Sequence, residues 1–500
     1  MTLTDIIDEI NLNISGLRDA QVPHAKTLIQ SINIRGYALD TSTMGTGKTY
    51  SAGAIARHMD TPIFVMCPKV VRRNWERVLT LFGVKNFTVV NYDLIVRGNT
   101  PYAKQMEFAQ DPRYKQNKND ADSAFLLRFN LPPETFIIFD ESHKCKAEAS
   151  SSSELMLAAW QQKYKFLLLS ASQATTPKDM FILGRILNQH NFFDYREWLC
   201  EFGGSEDGYW NPNIDMNDPI ARDRMKELHD DIYNRGVASR MTPDMFGSSF
   251  KNNQILPECF DMGENTNNIN QIYSDMQQEI KRLQDRGYKD CVLAEIMKAR
   301  RMAELHKVST FVDLAVDAYE QGKSVTIFVN FKETLEAIVK RIGKRVGEKL
   351  ISKVCGGQTE LERDTEIENF QADKARFIVC NIAAGGVGIS LHDLNGNFPR
   401  IALISPTYSA VAFLQATGRI YREGSLTDCV QYVVYCAGSI EEDVCYKLKG
   451  KLGALDILND GDLSLTGYGL DVEWNVEDDE EDTATESDGI DYGIYKENFD

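Results

Sequence analysis

Five hundred residues exceed what one hydrophobic core supports, and at about 150 residues per domain they suggest two or three domains. The 43% hydrophobic and 26% charged fractions exclude a wholly disordered or fibrous chain. The net charge of −18 argues at first against nucleic acid, but residues 471–500 hold 13 acidic side chains and one lysine, so that stretch carries −12 and the other 470 residues only −6.

The chain opens on the acidic MTLTDIIDEI, where a signal peptide would be basic, and no apolar run approaches the ~18 residues of a membrane helix, so an intracellular protein without membrane contact is expected. The ten cysteines include no Cys-x-x-Cys pair, which favours reduced core thiols. Tyr37-Ala38-Leu39 leads into STMGTGKT (42–49) and then TYSAGAIARHM, an apolar strand, a glycine turn and a helix. That is a phosphate loop in its required context. Gly45 and Gly47 let backbone N–H groups close around phosphate oxygens, Lys48 reaches the β- and γ-phosphates, and the Thr49 hydroxyl can hold Mg²⁺. Ser42 stands where this pattern usually begins with glycine.

Ile63 to Cys67 reads as a second buried strand, followed by Lys69, Arg72 and Arg73. Phe136 to Phe139 runs directly into Asp140-Glu141-Ser142-His143, 92 residues after Lys48. Carboxylates at the end of a buried parallel strand lie where an α/β sheet places its ligand. Asp140 suits Mg²⁺ held through water, Glu141 suits orienting and deprotonating the attacking water, and His143 is placed to couple this turn to the next segment. Phe166 to Leu169 closes this first cluster of strands.

About 150 mostly polar, helical-patterned residues follow, with Lys281, Arg282, Lys298, Arg300 and Arg301 on a helical stretch over 265–302. Apolar runs resume at Val325 to Val329, Phe377 to Cys380 and Ile401 to Ile404. Short runs buried on both faces and alternating with helices predict two parallel α/β sheets joined by a helical insert. In Gln415-Ala-Thr-Gly-Arg-Ile-Tyr-Arg422, Arg419 and Arg422 lie three apart on one helical face, suited to stabilising charge on a transferring phosphoryl group from a second domain. Beyond residue 470 the acidic stretch cannot bury enough apolar surface to order itself.

These segments together resemble the superfamily 2 helicases, and among them the SWI/SNF-type DNA translocases, over nearly the whole span from Leu17 to about Leu448. Leu17-Arg18-x-x-Gln21 is similar to the family's adenine-reading Q motif; MGTGKT, VMCPKVVRRNWERVL (65–79) and NYDLI (91–95) resemble motif I, motif Ia and the segment after it. DESH, LLLSAS (167–172), VTIFVNFKETLEAI (325–338) and IVCNIAAGGVGISL (378–391) resemble motifs II to V. The likeness is strongest in ISPTYSAVAFLQATGRIYREGS (404–425) and SIEEDVCYKL (439–448). Motif III ends Ser170-Ala171-Ser172 where threonine is usual, and Asp19-Ala20 replaces the usual Pro-aromatic pair.

The resemblance implies two RecA-like lobes, at 1–260 with helical additions after about 173 and at 300–470, a helical linker over 261–299, and the disordered acidic tail at 471–500. It implies Mg-ATP between them, with Gln21, Met44, Gly45, Thr46, Gly47, Lys48 and Thr49 on one side and Gly388 and Gln415 on the other; Lys48, Asp140, Glu141, Arg419 and Arg422 are the catalytic set and Thr49 and Asp140 the metal set. The expected activity is a DNA-stimulated ATPase moving on duplex or branched DNA, the alternative a strand-separating helicase on single-stranded DNA or RNA. Lys69, Arg72, Arg73, Gly385 and Gly386 are the expected backbone contacts, without sequence specificity. The expected form is a monomer, with the acidic tail available to compete for the DNA track or to dock a protein.

Overall fold

The computed structural model describes residues 16–96, 100–106, 126–146, 150–191, 194–203, 214–260, 262–285, 291–382, 388–439 and 441–460. The acidic tail, Gly385 and Gly386 lie outside the described residues.

In chain order the strands are β1 (Tyr37–Asp40), β2 (Ile63–Cys67), β3 (Phe87–Asn91), β4 (Ala103–Met106), β5 (Leu126–Phe129), β6 (Phe136–Asp140), β7 (Lys165–Leu169), β8 (Ala238–Ser239), β9 (Asn253–Phe260), β10 (Ser324–Val329), β11 (Ile351–Val354), β12 (Phe377–Asn381), β13 (Arg400–Ile404) and β14 (Cys429–Cys436). They build two six-stranded sheets, ordered β3-β2-β6-β7-β1-β8 and β11-β12-β10-β13-β14-β9, and a small pair β4-β5. Every pairing described in the two large sheets is parallel.

The unbroken apolar runs have the physical cause expected of parallel sheets: each strand must satisfy a core on both faces. In β2, Ile63, Val65 and Cys67 enter one cluster with Trp75 and Ile55, while Phe64 and Met66 enter the opposite one with Leu155 and Phe129. Likewise Val325, Ile327 and Val329 of β10 face one core and Phe328 the other. The chain is therefore α/β, with a parallel sheet wrapped by helices in each lobe.

The strand Asn253–Phe260, inside the span 1–260 assigned to the first lobe on sequence, pairs with β14 at the edge of the second sheet. Its exposed Gln254 and Leu256 alternate with half-buried Asn253 and Ile255, and this with Pro257, which offers no N–H, suits an edge and not a sheet centre. Chain continuity crosses back as well. The helix Glu441–Asp460 follows β14, places Leu448, Leu452 and Leu455 in the second-lobe core, and ends with Ala454, Ile457 and Leu458 in the first-lobe core. Among the described residues no helix is long and apolar enough to cross a membrane.

Candidate active site and nucleic-acid interface

The phosphate loop leaves the C-terminal end of β1 and enters the helix Lys48–Met59, with Gly45 at φ 81° and Gly47 at φ 87°, conformations that L side chains rarely adopt. A Cβ on Gly47 would sit 2.4 Å from Gln21 Nε2. Lys48 Nζ donates back to the carbonyls of Ser42 (2.7 Å) and Thr43 (3.3 Å), which curls the loop around its ammonium. Burial lowers the Lys48 pKa, and Asp40, Glu141 and Asp140 pull it back up. Thr49 follows as the second residue of the helix. Ser42 has its own role: its N–H donates to Asp40 Oδ1 (3.0 Å) and its hydroxyl accepts from Met241 N–H (2.9 Å), tying the loop to the segment after β8.

The helix Gln21–Arg35 braces the loop from one side. Gln21 Nε2 donates to Thr46 O at 3.0 Å and its Oε1 accepts Arg18 N–H at 2.9 Å. One turn on, His24 Nε2 lies 3.1 Å from Asp40 Oδ2 and its Nδ1 2.8 Å from Ser239 Oγ. Burial would raise the Asp40 carboxyl, but His24, Lys48 and the Ser42 N–H outweigh it and hold Asp40 below the ordinary carboxylate range. Gln21 was legible from the sequence; His24 and Asp40 were not, because nothing in a lone His and a lone Asp marks them as partners.

Asp140 ends β6, two strands from β1. Its Oδ2 accepts the indole N–H of Trp75 at 2.7 Å and its main-chain oxygen accepts the Tyr92 hydroxyl at 2.8 Å. Burial, then the neighbouring Glu141 carboxylate, pushes the Asp140 carboxyl up to about 7. Glu141 adopts φ 54°, a left-handed conformation costly for a side-chain-bearing residue, so the turn is held by its surroundings. His143 Nδ1 lies 3.3 Å from Glu141 Oε2 and 3.1 Å from Ser170 Oγ, and Ser142 Oγ donates to Gln173 Oε1 at 3.0 Å. The DESH turn and the Ser170-Ala171-Ser172 segment are thus one bonded unit.

Two adjacent half-buried carboxylates, one pushed toward neutrality, lie close enough to Lys48 to act on its charge and form a hard-oxygen donor set short of positive charge. That set fits Mg²⁺, which takes one or two carboxylates and fills its remaining positions with water and phosphate oxygens. Among the described residues no group of three or more His, Cys, Asp or Glu suited to a metal occurs.

The second lobe meets this surface directly. A Cβ on Gly45 would lie 3.2 Å from Arg422 Cγ, and one on Gly418 3.0 Å from Met44 Cβ. Arg419 is buried and Arg422 half-buried, and both are bonded within their own lobe, Arg419 to Gln415 O (2.7 Å) and Ile389 O (3.1 Å), Arg422 to Gly418 O (3.0 Å) and Ser390 Oγ (2.8 Å). Burial lowers Arg419 to about 9, helped by Arg422, and Arg422 to about 10, while Glu141 across the cleft favours the charge of both. Gln415 is buried, and its main-chain oxygen is the one that holds Arg419 Nε. At the cleft rim Arg18 pairs with Glu423 at 3.1 Å.

Lys69, Arg72 and Arg73 are exposed on the turn and helix after β2. Arg72 pairs with Glu76 and Arg73 with Glu360 of the second lobe, both at 3.2 Å. The structure places Gly388 against this same turn, a Cβ there falling 2.8 Å from Val71 Cγ1, and not against the phosphate loop. The geometry therefore brings Gln21, Met44, Gly45, Lys48, Asp140, Glu141, Arg419 and Arg422 around one cleft and sets Lys69, Arg72, Arg73 and Gly388 at a second junction of the lobes.

The helicase conserved C-terminal domain family matches residues 306–424. A protein of Acanthamoeba polyphaga mimivirus, described as an ATP-dependent RNA helicase, is 31% identical over 458 residues, covering 89% of this chain and 83% of that protein. The Caenorhabditis elegans homologue of a SWI/SNF-related, matrix-associated, actin-dependent regulator of chromatin (subfamily A-like protein 1) is 23% identical over 442 residues, 86% of this chain and 60% of its own. A solved Sulfolobus solfataricus SWI2/SNF2 ATPase core in complex with double-stranded DNA is 19% identical over 90% of this chain and 94% of its own, at a TM-score of 0.35.

A two-lobed α/β ATPase with a phosphate loop in one lobe and paired arginines in the other is the class that this fold and cleft define. The chain belongs to the superfamily 2 helicases, within their SWI/SNF type, and is an ATP-hydrolysing enzyme of that family.

Proposed function

We propose that this chain is a DNA translocase that couples ATP hydrolysis to movement on duplex or branched DNA, remodelling junctions or displacing bound protein. The observation that carries the reading is the seating of Arg422 on Gly45: the arginines of one lobe reach the phosphate loop of the other, so nucleotide turnover and lobe movement act on the same contact. Gly45, Thr46, Gly47, Lys48 and Thr49 cradle the phosphates, Met44 and Gln21 back the cradle, and Gln415 supports Arg419 through its main-chain oxygen. Thr49 and Asp140 would hold Mg²⁺, which when bound neutralises phosphate charge and orients the terminal phosphoryl group. Glu141 orients the attacking water and takes its proton, with His143 fixing the carboxylate. Arg419 and Arg422 stabilise charge on the transferring group, which requires them to exchange the carbonyls they now hold for phosphate oxygens.

DNA would run along the second junction, where the turn that carries Lys69, Arg72 and Arg73 meets Gly388, and the contacts would be with phosphates and not bases. The protein acts as a monomer inside the cell, and its acidic tail competes for that track or docks a partner. A second reading, strand separation on single-stranded DNA or RNA, is favoured by the description of the mimivirus relative. ATPase rates measured across duplex, forked and single-stranded DNA and RNA separate the two: duplex or forked DNA should stimulate most, and stimulation by single strands alone would overturn the first reading.

A further inference from the structure

Among the described residues Trp75 heads the largest fully buried side chains, and it is 0% exposed. A buried indole N–H is a donor that must find an acceptor, and this one lies 2.7 Å from Asp140 Oδ2. Using its single polar atom on a carboxylate is a charge-assisted bond, stronger than a neutral one. It also fixes the carboxylate plane, because Oδ2 is committed to Trp75 while the main-chain oxygen of Asp140 is committed to Tyr92 at 2.8 Å. Trp75 stands on the helix Arg72–Leu81, packed with Val78 and Leu79 in the core beneath β2, so the donor is anchored on a rigid element 65 residues away in sequence.

We propose that Trp75 is a positioning residue for phosphoryl transfer: its indole N–H sets the orientation in which Asp140 presents its other oxygen to the metal bound with the nucleotide. This rests on the reading of Asp140 as the metal-side carboxylate, and the test separates the two. Affinity for a fluorescent ADP is measured with Mg²⁺ and with EDTA for the parent, Trp75→Phe, Trp75→His and Asp140→Asn. Trp75→Phe keeps a ring and loses the donor, so its affinity in EDTA should match the parent while the gain on adding Mg²⁺ falls about tenfold, as losing a bond to a charged group implies. Its kcat should fall with KM in EDTA-free buffer changed by less, and Trp75→His, which offers an N–H again, should recover part of both. A full Mg²⁺ gain in Trp75→Phe overturns the proposal. A full gain in Asp140→Asn overturns the reading of Asp140 instead.

Should Trp75→Phe fail to fold, the parent chain still decides. Of the indole N–H resonances of its five tryptophans, one should be displaced by Asp140→Asn and should move again when Mg²⁺ and ADP are added. A spectrum in which no indole responds to Asp140→Asn removes Trp75 from the site.

Discussion

Glu141 touches His143 and faces the arginines of the opposite lobe, whereas Lys48 is wound into the loop that would hold phosphate. Their substitutions should therefore part company. Glu141→Gln should bind ATP like the parent and lose hydrolysis; Lys48→Ala should lose both, which equilibrium nucleotide binding and phosphate release read separately. Arg422 belongs to the second lobe, so Arg422→Ala should leave nucleotide affinity nearly intact and cut stimulated turnover by about two or more orders of magnitude. Normal stimulated turnover in that variant would remove Arg422 from the chemistry. These residues were legible because each sits in a contiguous motif whose spacing is set by one loop or one helical turn. Trp75, Asp40 and His24 were not, since their partners lie across the sheet and only the tertiary fold supplies them.

At the scale of elements, the helix Arg72–Leu81 joins functions that the sequence leaves separate. Its buried face holds Asp140 through Trp75, its exposed start carries Arg72 and Arg73, and the turn before it meets Gly388. The strands beneath the site were legible for their apolar runs. The edge strand Asn253–Phe260 was not, because a strand wetted on one side and carrying Pro257 lacks the signal of a central one. The short turn Pro177–Met180, after the Ser170-Ala171-Ser172 segment, depends on Asp179, which accepts from Thr175 N–H and Oγ1 at 2.7 Å each and pairs with Lys146 at 3.5 Å. Burial raises its carboxyl, but Lys146 and the Thr175 and Thr176 bonds outweigh that and leave it below the ordinary value. A depressed folded-state pKa contributes stability that is full above the unfolded pKa of about 4 and is lost as pH falls through the folded value. Asp179→Ala should accordingly cost about 1–3 kcal/mol in urea denaturation at pH 7. The gap from the parent should shrink at pH 3; a gap of equal size at both pH values would assign the loss to packing and not to the ionised carboxylate.

For the molecule as a whole, the two lobes are fastened by more than the nucleotide cleft. The helix Glu441–Asp460 begins in the second lobe, where Glu441 pairs with the buried Lys307 at 2.7 Å and accepts the Cys436 N–H at 2.9 Å. It ends in the first, where Leu458 O lies 2.8 Å from His229 Nδ1, Asn459 Nδ2 donates to Ala171 O at 3.0 Å, and Asp460 takes Arg240 Nη2 at 2.8 Å. Arg240 also donates to Thr41 O, next to the phosphate loop, so the end of this helix contacts the Ser170-Ala171-Ser172 segment directly and reaches the phosphate loop through Arg240. Ile457 is fully buried there, and Ile457→Ala should cost about 2–5 kcal/mol by the lost transfer energy and the cavity left behind. The consequence for cooperativity is sharper than the magnitude. Of the five tryptophans, Trp75, Trp160 and Trp198 lie in the first lobe, while Trp210 and Trp474 lie outside the described residues; with both of these replaced by Phe, tryptophan emission follows the first lobe while far-ultraviolet dichroism follows both lobes. The parent should give coincident denaturant transitions by the two probes, and Ile457→Ala should move the emission midpoint to lower denaturant than the dichroism midpoint. Leu448→Ala, on the same helix but in the second-lobe core, should not advance the emission midpoint ahead of the dichroism midpoint. Coincident transitions in Ile457→Ala would place the coupling of the lobes in the contacts of Arg422 with Gly45 and of Gly388 with Val71, and not in this helix.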